Sequence, residues 1–89
     1  MKDKQPKLSI VTDNEKHQLC QIACDIQSGH HLLYPRSLEY KAVAIKYLQA
    51  QKKFNNKEKL SDWDIEALAY VDWCSEYGQD FKELKKKYI

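Results

Sequence analysis

The sequence predicts an all-α fold: a small bundle of three main helices plus a short C-terminal helix, with an extended N-terminal arm. Apolar residues recur at spacings of three and four along three long stretches, the period of an amphipathic helix. The 89 residues include only two glycines and two prolines, too few for the many tight turns of an all-β chain. Hydrophobic residues make up 43% of the chain and charged residues 31%, a composition typical of globular domains.

The length fits a single domain. Residues 1–11 are polar at first and then briefly β-like, with apolar Leu8, Ile10 and Val11. We interpret this segment as an arm that packs onto the bundle in an extended conformation. Residues 12–89 then form the helical-bundle domain.

The first helix has clear signals at both ends. Thr12 and Glu15 have the spacing of a capping box, in which each side chain bonds the other residue's backbone N–H. Apolar residues then recur at helical spacing as far as Ile26. Ser28-Gly29 ends the helix, because glycine adopts the left-handed C-terminal conformation at the lowest energy.

The second helix has two candidate starts. Pro35 suits a first-turn position, where its missing N–H costs nothing, and Ser37 is an alternative N-cap. The helix runs to about Phe54 and stops at Asn55-Asn56. It carries two neighbouring apolar stripes: Leu38, Ala42, Ile45 and Leu48 in one, and Tyr40, Val43, Ala44, Tyr47, Ala50 and Phe54 in the other.

The third helix is predicted to open at Ser61, with Asp64 completing a second capping box, and to extend to Gly78. Asp80 is a candidate N-cap for a short final helix that carries Phe81, Leu84 and Tyr88. The apolar residues of the third helix cover a wide arc. Such a helix is either central in the bundle or shared between the bundle and a partner.

The net charge of +2 is too small to favour nucleic-acid binding by itself, but the charge is unevenly placed. Residues 37–60 carry six Lys against two Glu, whereas residues 61–81 carry six acids and no base. Three cysteines, an odd number, sit in apolar helical patterns, which is typical of a reducing compartment. No stretch has the pattern of a signal peptide or the length of a membrane span. We therefore expect a cytoplasmic protein that does not bind membranes.

The leading candidate site is an acidic-aromatic set on the third helix and just after it. Tryptophan and tyrosine dominate the energetics of protein interfaces, and an acidic rim would steer a basic partner surface. The set consists of Trp63, Glu66, Tyr70, Asp72, Trp73, Glu76, Tyr77 and Asp80. Some of these acids also have a simpler explanation, because carboxylates in the first turn of a helix interact favourably with its dipole.

The alternative site is a lysine strip along the second helix, with Tyr40 and Tyr47 interleaved, which would bind nucleic acid. Its lysines are Lys41, Lys46, Lys52, Lys53 and Lys57, followed by Lys59. Such a strip predicts an affinity that falls steeply with salt.

A metal site is a third alternative. His17, Cys20 and Cys24 lie near one helical stripe, and sulfur with imidazole is the ligand chemistry of zinc. His30, His31 or Cys74 would supply a fourth ligand. Structural zinc sites usually take their cysteines from loops, and cysteine is commonly a buried residue, so we predict no bound metal.

No motif in the chain predicts catalysis. A phosphate-binding glycine loop and an arranged Cys-His nucleophile are both missing from the sequence. We expect no catalytic residue and no cofactor. The sequence instead suggests a small binding module that docks onto a larger protein with a basic surface and regulates or inhibits it. Its general character resembles phage and mobile-element proteins. A nucleic-acid-binding or transcription-regulatory protein and a homodimer are the alternatives.

Overall fold

The described residues form four α-helices, in the order α1 (Asp13–Ser28), α2 (Leu38–Asn55), α3 (Asp62–Ser75) and α4 (Phe81–Lys86). The structure is a computed structural model that describes residues 7–29, 37–75 and 80–89, and within these ranges no residue is in a strand. The predicted small all-α bundle of three main helices and a short last one is confirmed.

Local capping chemistry sets the ends of α1. The Thr12 hydroxyl accepts the Glu15 N–H at 3.2 Å, and the Glu15 carboxylate accepts the Thr12 N–H at 3.1 Å. Gly29 follows the helix at φ 79°, in the left-handed region, and its N–H is donated to the carbonyls of Asp25 and Ile26. The predicted capping box and glycine C-cap are both confirmed.

The other helices also begin at side-chain caps. The Ser37 hydroxyl accepts the Tyr40 N–H at 3.0 Å, so α2 uses the alternative start; Pro35 lies outside the described residues. Ser61 and Asp64 bond each other's N–H groups at 3.2 and 3.1 Å, as a capping box requires. The Asp80 carboxylate accepts the Lys82 N–H at the start of α4.

The three long helices alternate in direction. Lys46 of α2 pairs with Glu15 near the start of α1, and Tyr40 pairs with Asp25 near its end, so α1 and α2 are antiparallel. Glu15 also accepts a hydrogen bond from Trp63 at the start of α3, and α1 and α3 therefore run in the same direction.

The core is formed along the axis of the bundle. Its members on α2 are one of the two predicted stripes, while the other leaves Leu38 86% and Ile45 40% exposed. Four alanines of α2 and α3 have no exposed surface, which lets the helices approach closely. The buried apolar residues are Val11, Leu19, Ile22, Ala23, Tyr40, Val43, Ala44, Tyr47, Ala50, Ala67, Leu68, Ala69, Tyr70, Val71, Leu84 and Tyr88.

Helix α3 is the central element. Every residue from 66 to 71 is buried, so burial follows the whole circumference of the helix and not one stripe. The wide apolar arc of the sequence thus reflects a central position in the bundle over this part of the helix.

Candidate docking groove

Glu66, a member of the acidic-aromatic set, makes its contacts inside the chain. Its side chain is buried, and its carboxylate accepts the N–H groups of Ser9, Ile10 and Val11 at 2.9, 2.9 and 3.1 Å. Glu66 therefore holds the N-terminal arm onto α3. This burial contradicts the prediction that Glu66 lies on a partner-facing rim. This attachment depends on the tertiary fold, which brings Glu66 next to residues more than fifty positions away in the sequence.

The three amides also change the acidity of Glu66. Burial alone would raise the pKa of this carboxyl, but the hydrogen bonds from Ser9, Ile10 and Val11 favour the charged form and bring the pKa below its ordinary value. The carboxylate is therefore charged at neutral pH while it holds the arm.

Tyr70, another member of the set, is also buried. Its side chain is 2% exposed, and its ring stacks on Trp73 with centroids 5.9 Å apart and an interplanar angle of 17°. The Lys16 ammonium lies 5.9 Å from the Tyr70 centroid. Tyr70 is thus a core residue, contrary to the predicted partner contact, whereas Trp73 is half-buried and keeps some surface.

Trp63 takes part in a junction between three helices. Its indole N–H is donated to Glu15 at 3.1 Å, and the Lys46 ammonium lies 4.2 Å from its ring centroid. Partial burial would raise the pKa of Glu15, but bonds from the Thr12 N–H, Lys46 and Trp63 bring it down to about 2. This junction uses the polar edge of Trp63 and covers one face of its ring within the chain.

The remaining acids of the set divide into two groups. Asp72 accepts the Tyr88 hydroxyl and lies 3.7 Å from the Lys87 ammonium, and Asp80 is exposed as the N-cap of α4. Glu76 and Tyr77 lie outside the described residues. Among the described members, most are thus engaged in contacts inside the chain, and no continuous acidic-aromatic surface is formed.

The lysine strip is also interrupted. Lys46 pairs with Glu15 at 3.0 Å and Lys53 with Asp64 at 3.3 Å, whereas Lys41 and Lys52 are exposed with no ion pair among the described residues. The strip thus loses two of its five cations to neighbouring helices.

The thiols lie where α1 meets α3. Cys20 and Cys24 are exposed and Cys74 is half-buried. His17 is exposed on the same stripe of α1, as the spacing predicts. Within residues 7–29, 37–75 and 80–89, no group of three His, Cys, Asp or Glu side chains is arranged to hold a metal ion. His30 and His31 lie outside these ranges.

A lysine-rimmed groove opens where α2 ends, between the α2–α3 connection, α3 and the last turn of the chain. Its volume is about 420 Å³. Apolar side chains form the floor and charged side chains the rim; the lining residues are Phe54, Lys57, Glu58, Lys59, Leu60, Ile65, Lys87, Tyr88 and Ile89. We call this set the lysine-rimmed groove.

Aromatic packing fixes the floor of this groove. The rings of Phe54 and Tyr88 meet edge to face, with centroids 4.8 Å apart and an interplanar angle of 66°. Leu60 and Ile65 are half-buried, and Ile89 is 86% exposed. The floor therefore presents apolar surface to solvent beside this aromatic pair, and Ile89 is its most exposed member.

The backbone of the rim is strained at Lys57. Helix α2 ends in a Schellman motif, in which the Glu58 N–H bonds the Lys53 carbonyl at 2.8 Å and the Lys57 N–H bonds the Phe54 carbonyl at 3.1 Å. Lys57 has φ 60°, and among the described residues it is the one non-glycine residue at positive φ. Glycine is the usual residue at this position. A lysine there is held in an unfavourable conformation, a feature that often marks functional positions.

The groove is electropositive. Lys57 and Lys59 contribute two positive charges against one negative charge from Glu58, while the third lysine of the lining, Lys87, is paired with Asp72 at 3.7 Å. The sequence identifies Lys57 and Lys59 as members of the lysine strip but does not predict the groove, because the floor of the groove joins residues from α2, α3 and the last turn. A lysine directly after Asn55-Asn56, at a position where glycine is the usual residue, is the signal that could have pointed to the groove.

Comparison with known proteins gives no significant match to a family model, to a curated protein or to a solved structure. None of the helices in the described ranges combines the length and apolarity that a membrane crossing needs.

Proposed function

We propose that this chain is a small non-catalytic binding module that docks onto a larger protein through the lysine-rimmed groove and thereby regulates it. The observation that carries the proposal is the strained Lys57 on the rim of an exposed apolar floor. Left-handed backbone costs an L residue about 1–2 kcal/mol. Glycine would avoid this strain, so the ammonium of Lys57 has a use that glycine could not serve.

The partner should present an acidic segment with an apolar anchor. Charge complementarity between partners speeds encounter and sets specificity, while buried apolar side chains provide most of the affinity. An apolar side chain on the floor, flanked by carboxylates at the lysines, satisfies both requirements. This choice replaces the basic partner surface expected from α3, because Glu66 and Tyr70 are buried within the chain.

The geometry favours this groove over nucleic-acid binding along α2. Phosphate binding needs several free cations on one surface, and Lys46 and Lys53 already pair with carboxylates of α1 and α3. We further propose the cytoplasm as the location, because all three thiols are free.

A peptide titration followed by NMR tests this function. The probe is a 12-residue peptide with a central leucine flanked by glutamates, compared with the same peptide carrying lysines and with a random DNA duplex. We expect the acidic peptide to shift the amide signals of Lys59, Leu60 and Ile89. The double variant Lys57→Glu/Lys59→Glu should weaken its binding at least about tenfold, since each tenfold corresponds to about 1.4 kcal/mol.

The matched control is Lys41→Glu/Lys52→Glu, which makes the same change of charge on exposed lysines of α2 away from the groove. It should leave binding of the acidic peptide within about twofold, apart from the weak long-range effect of net charge. Equal binding of the two peptides, or equal losses in the two double variants, would refute the groove. Tight DNA binding that is lost in the control variant would instead favour the lysine strip.

A further inference from the structure

A second cleft adjoins the lysine-rimmed groove on the side of the N-terminal arm. Its volume is about 420 Å³, the same as that of the groove. Ile65 and Ile89 line both cavities, so the two are neighbours that share these side chains. Ile10 of the arm and Lys85 of α4 line the second cavity alone, and we call it the arm cleft. A chain bound in the groove can therefore continue past Ile65 and Ile89 into the arm cleft.

The arm is held in place by its backbone, which leaves the side chain of Ile10 available. The Glu66 carboxylate accepts the N–H groups of Ser9, Ile10 and Val11, and these hydrogen bonds use no side chain of the arm. Val11 is buried in the core, whereas Ile10 keeps 49% of its surface exposed. Attachment of the arm thus does not depend on the side chain at position 10, and that side chain is free to contact a ligand in the arm cleft.

The charges of the arm cleft favour an apolar ligand group over a charged one. Glu66 lines the cleft, but its buried carboxylate is already occupied by the amides of the arm. Asp62 and Lys85 also line it, carry opposite charges and form no ion pair with the described residues. A ligand group of either charge would meet one of them as a like charge. Ile10, Ile65 and Ile89 instead offer apolar surface, whose burial is favourable for an apolar side chain.

We propose that the arm cleft is a second subsite for the partner's acidic segment and takes a second apolar side chain between Ile10, Ile65 and Ile89. This inference rests on the proposed docking function of the groove. The carboxylates of the segment lie at Lys57 and Lys59, its first apolar anchor lies on the groove floor, and its second lies in the arm cleft. Since only the groove end of this combined site is basic, the charges also set the direction in which the segment binds.

Titration of the full chain with a peptide series, followed by NMR, tests the second subsite. The reference is the acidic peptide with one central leucine, and the test peptides carry a second leucine two, three or four residues away. These spacings place both leucines on one side of an extended chain or of a helix. Each test peptide has a counterpart with serine at the second position. We expect at least one two-leucine peptide to bind at least about fivefold more tightly than its serine counterpart, because it buries a further apolar side chain.

The same two-leucine peptide should shift the amide signals of Ile10 and Lys85, which its serine counterpart leaves unchanged. Ile10→Ser should reduce the advantage of the second leucine to less than about twofold and leave binding of the one-leucine peptide unchanged, since the groove is intact. The matched control is Ile26→Ser on α1, which replaces an isoleucine of similar exposure, 42%, that lines neither cavity. This control should keep the full advantage. Far-UV circular dichroism establishes that both variants are folded.

The outcomes separate this inference from the proposed function. If the one-leucine peptide binds in the groove but no second leucine improves binding, the second subsite is overturned and the docking function stands. If none of the acidic peptides binds, the docking function is refuted and the second subsite with it. Equal loss of the advantage in Ile10→Ser and Ile26→Ser would also overturn the subsite. Should Ile10→Ser not fold, the wild-type spectra decide, because a tighter two-leucine peptide that leaves the Ile10 amide unshifted contradicts the assignment.

Discussion

Helices α2 and α3 are both rich in apolar side chains, but α3 is buried around its whole circumference in its middle part, whereas α2 is buried along one side only. The outer side of α2 leaves Leu38 and Ile45 exposed, whereas residues 66 to 71 of α3 are all buried. Over residues 66 to 71, α3 has no side that faces solvent and could carry its polar residues. Its buried acids must therefore find partners inside the fold, because an unpaired buried charge is strongly unfavourable.

The partners of these acids come from elements on either side. Asp64 receives the Ser61 N–H and the Lys53 ammonium, and Glu66 receives three amides of the arm. On the lateral helix α2, by contrast, Lys41 and Lys52 extend into water. Asp64 and Glu66 thus have structural roles, whereas Lys41 and Lys52 contribute little to stability.

The largest expected effect tests the difference in burial directly. Tyr70→Ala removes a buried ring from α3 and should lower the free energy of unfolding by about 3–5 kcal/mol. Leu38→Ala on the exposed side of α2 should change it by less than about 0.5 kcal/mol. Denaturant unfolding of the two variants measures both values. Similar losses would mean that α2 and α3 do not differ in the way described.

The second prediction concerns the charge of Glu66. Glu66→Gln keeps the shape of the side chain but places an amide near three N–H donors, and should cost about 1.5–3 kcal/mol at pH 7. The double variant Ser61→Ala/Glu66→Gln should show additive losses, because the cap and the arm use different partners. An unchanged midpoint of urea unfolding for Glu66→Gln would show that the arm adds nothing to the stability of the bundle.

This loss should depend on pH. The pKa of Glu66 in the folded chain lies below its ordinary value of 4.5. Its contribution is therefore fully present above the unfolded-state pKa and is lost as the pH falls through the lower folded pKa. The difference between wild type and Glu66→Gln should be constant near neutral pH and shrink in acid below about pH 4.5. A difference that grows in acid would contradict this assignment.

A smaller effect is expected at the helix caps, which are matched between the two helices. Ser61→Ala and Ser37→Ala each remove a hydroxyl that accepts an N–H, at 3.2 Å in α3 and 3.0 Å in α2. Each loss should be about 0.5–2 kcal/mol. We expect the larger value at Ser61, because the start of the central helix also orients Asp64 toward Lys53. A larger loss at Ser37 would reverse this ranking.

The smallest effect has the opposite sign. Lys57→Gly relieves the left-handed strain at the end of α2 and should raise the free energy of unfolding by about 0.5–1 kcal/mol, since glycine adopts positive φ with no steric penalty. Thermal unfolding measures the gain. Lys57→Ala keeps the strain and removes the charge, so it should not stabilise the chain. If Lys57→Ala stabilised the chain as much as Lys57→Gly, the gain would come from the loss of the charge and not from the backbone conformation.

Signals that depend on near neighbours in the sequence were predicted from the sequence. The capping boxes of Thr12 with Glu15 and Ser61 with Asp64 each join residues three positions apart, and both were found. Asp80 was found at its cap in the same way. Such signals are decided by local backbone chemistry, so they do not depend on the arrangement of the helices.

Signals that depend on the tertiary arrangement were not predicted. The two apolar stripes of α2 look alike in sequence, and Tyr40 faces inward because its hydroxyl is donated to Asp25 of α1 at 2.6 Å. The sequence alone does not distinguish Glu66 from an exposed acid, because the three amides that surround it belong to the distant N-terminal arm. The candidate site was therefore placed on α3, where the acids and aromatics are in fact engaged with other parts of the same chain.

The bond between Glu66 and the arm also bears on the order in which the chain folds. Its three hydrogen bonds join residues 55 to 57 positions apart, so we expect them to close after α1, α2 and α3 have come together. We therefore expect the arm to attach late during folding and to detach by a local opening while the bundle stays folded. Amide hydrogens of Ser9 and Ile10 should exchange with solvent through detachment of the arm alone, far sooner than those of Leu68 or Val71, which exchange only when the whole bundle opens.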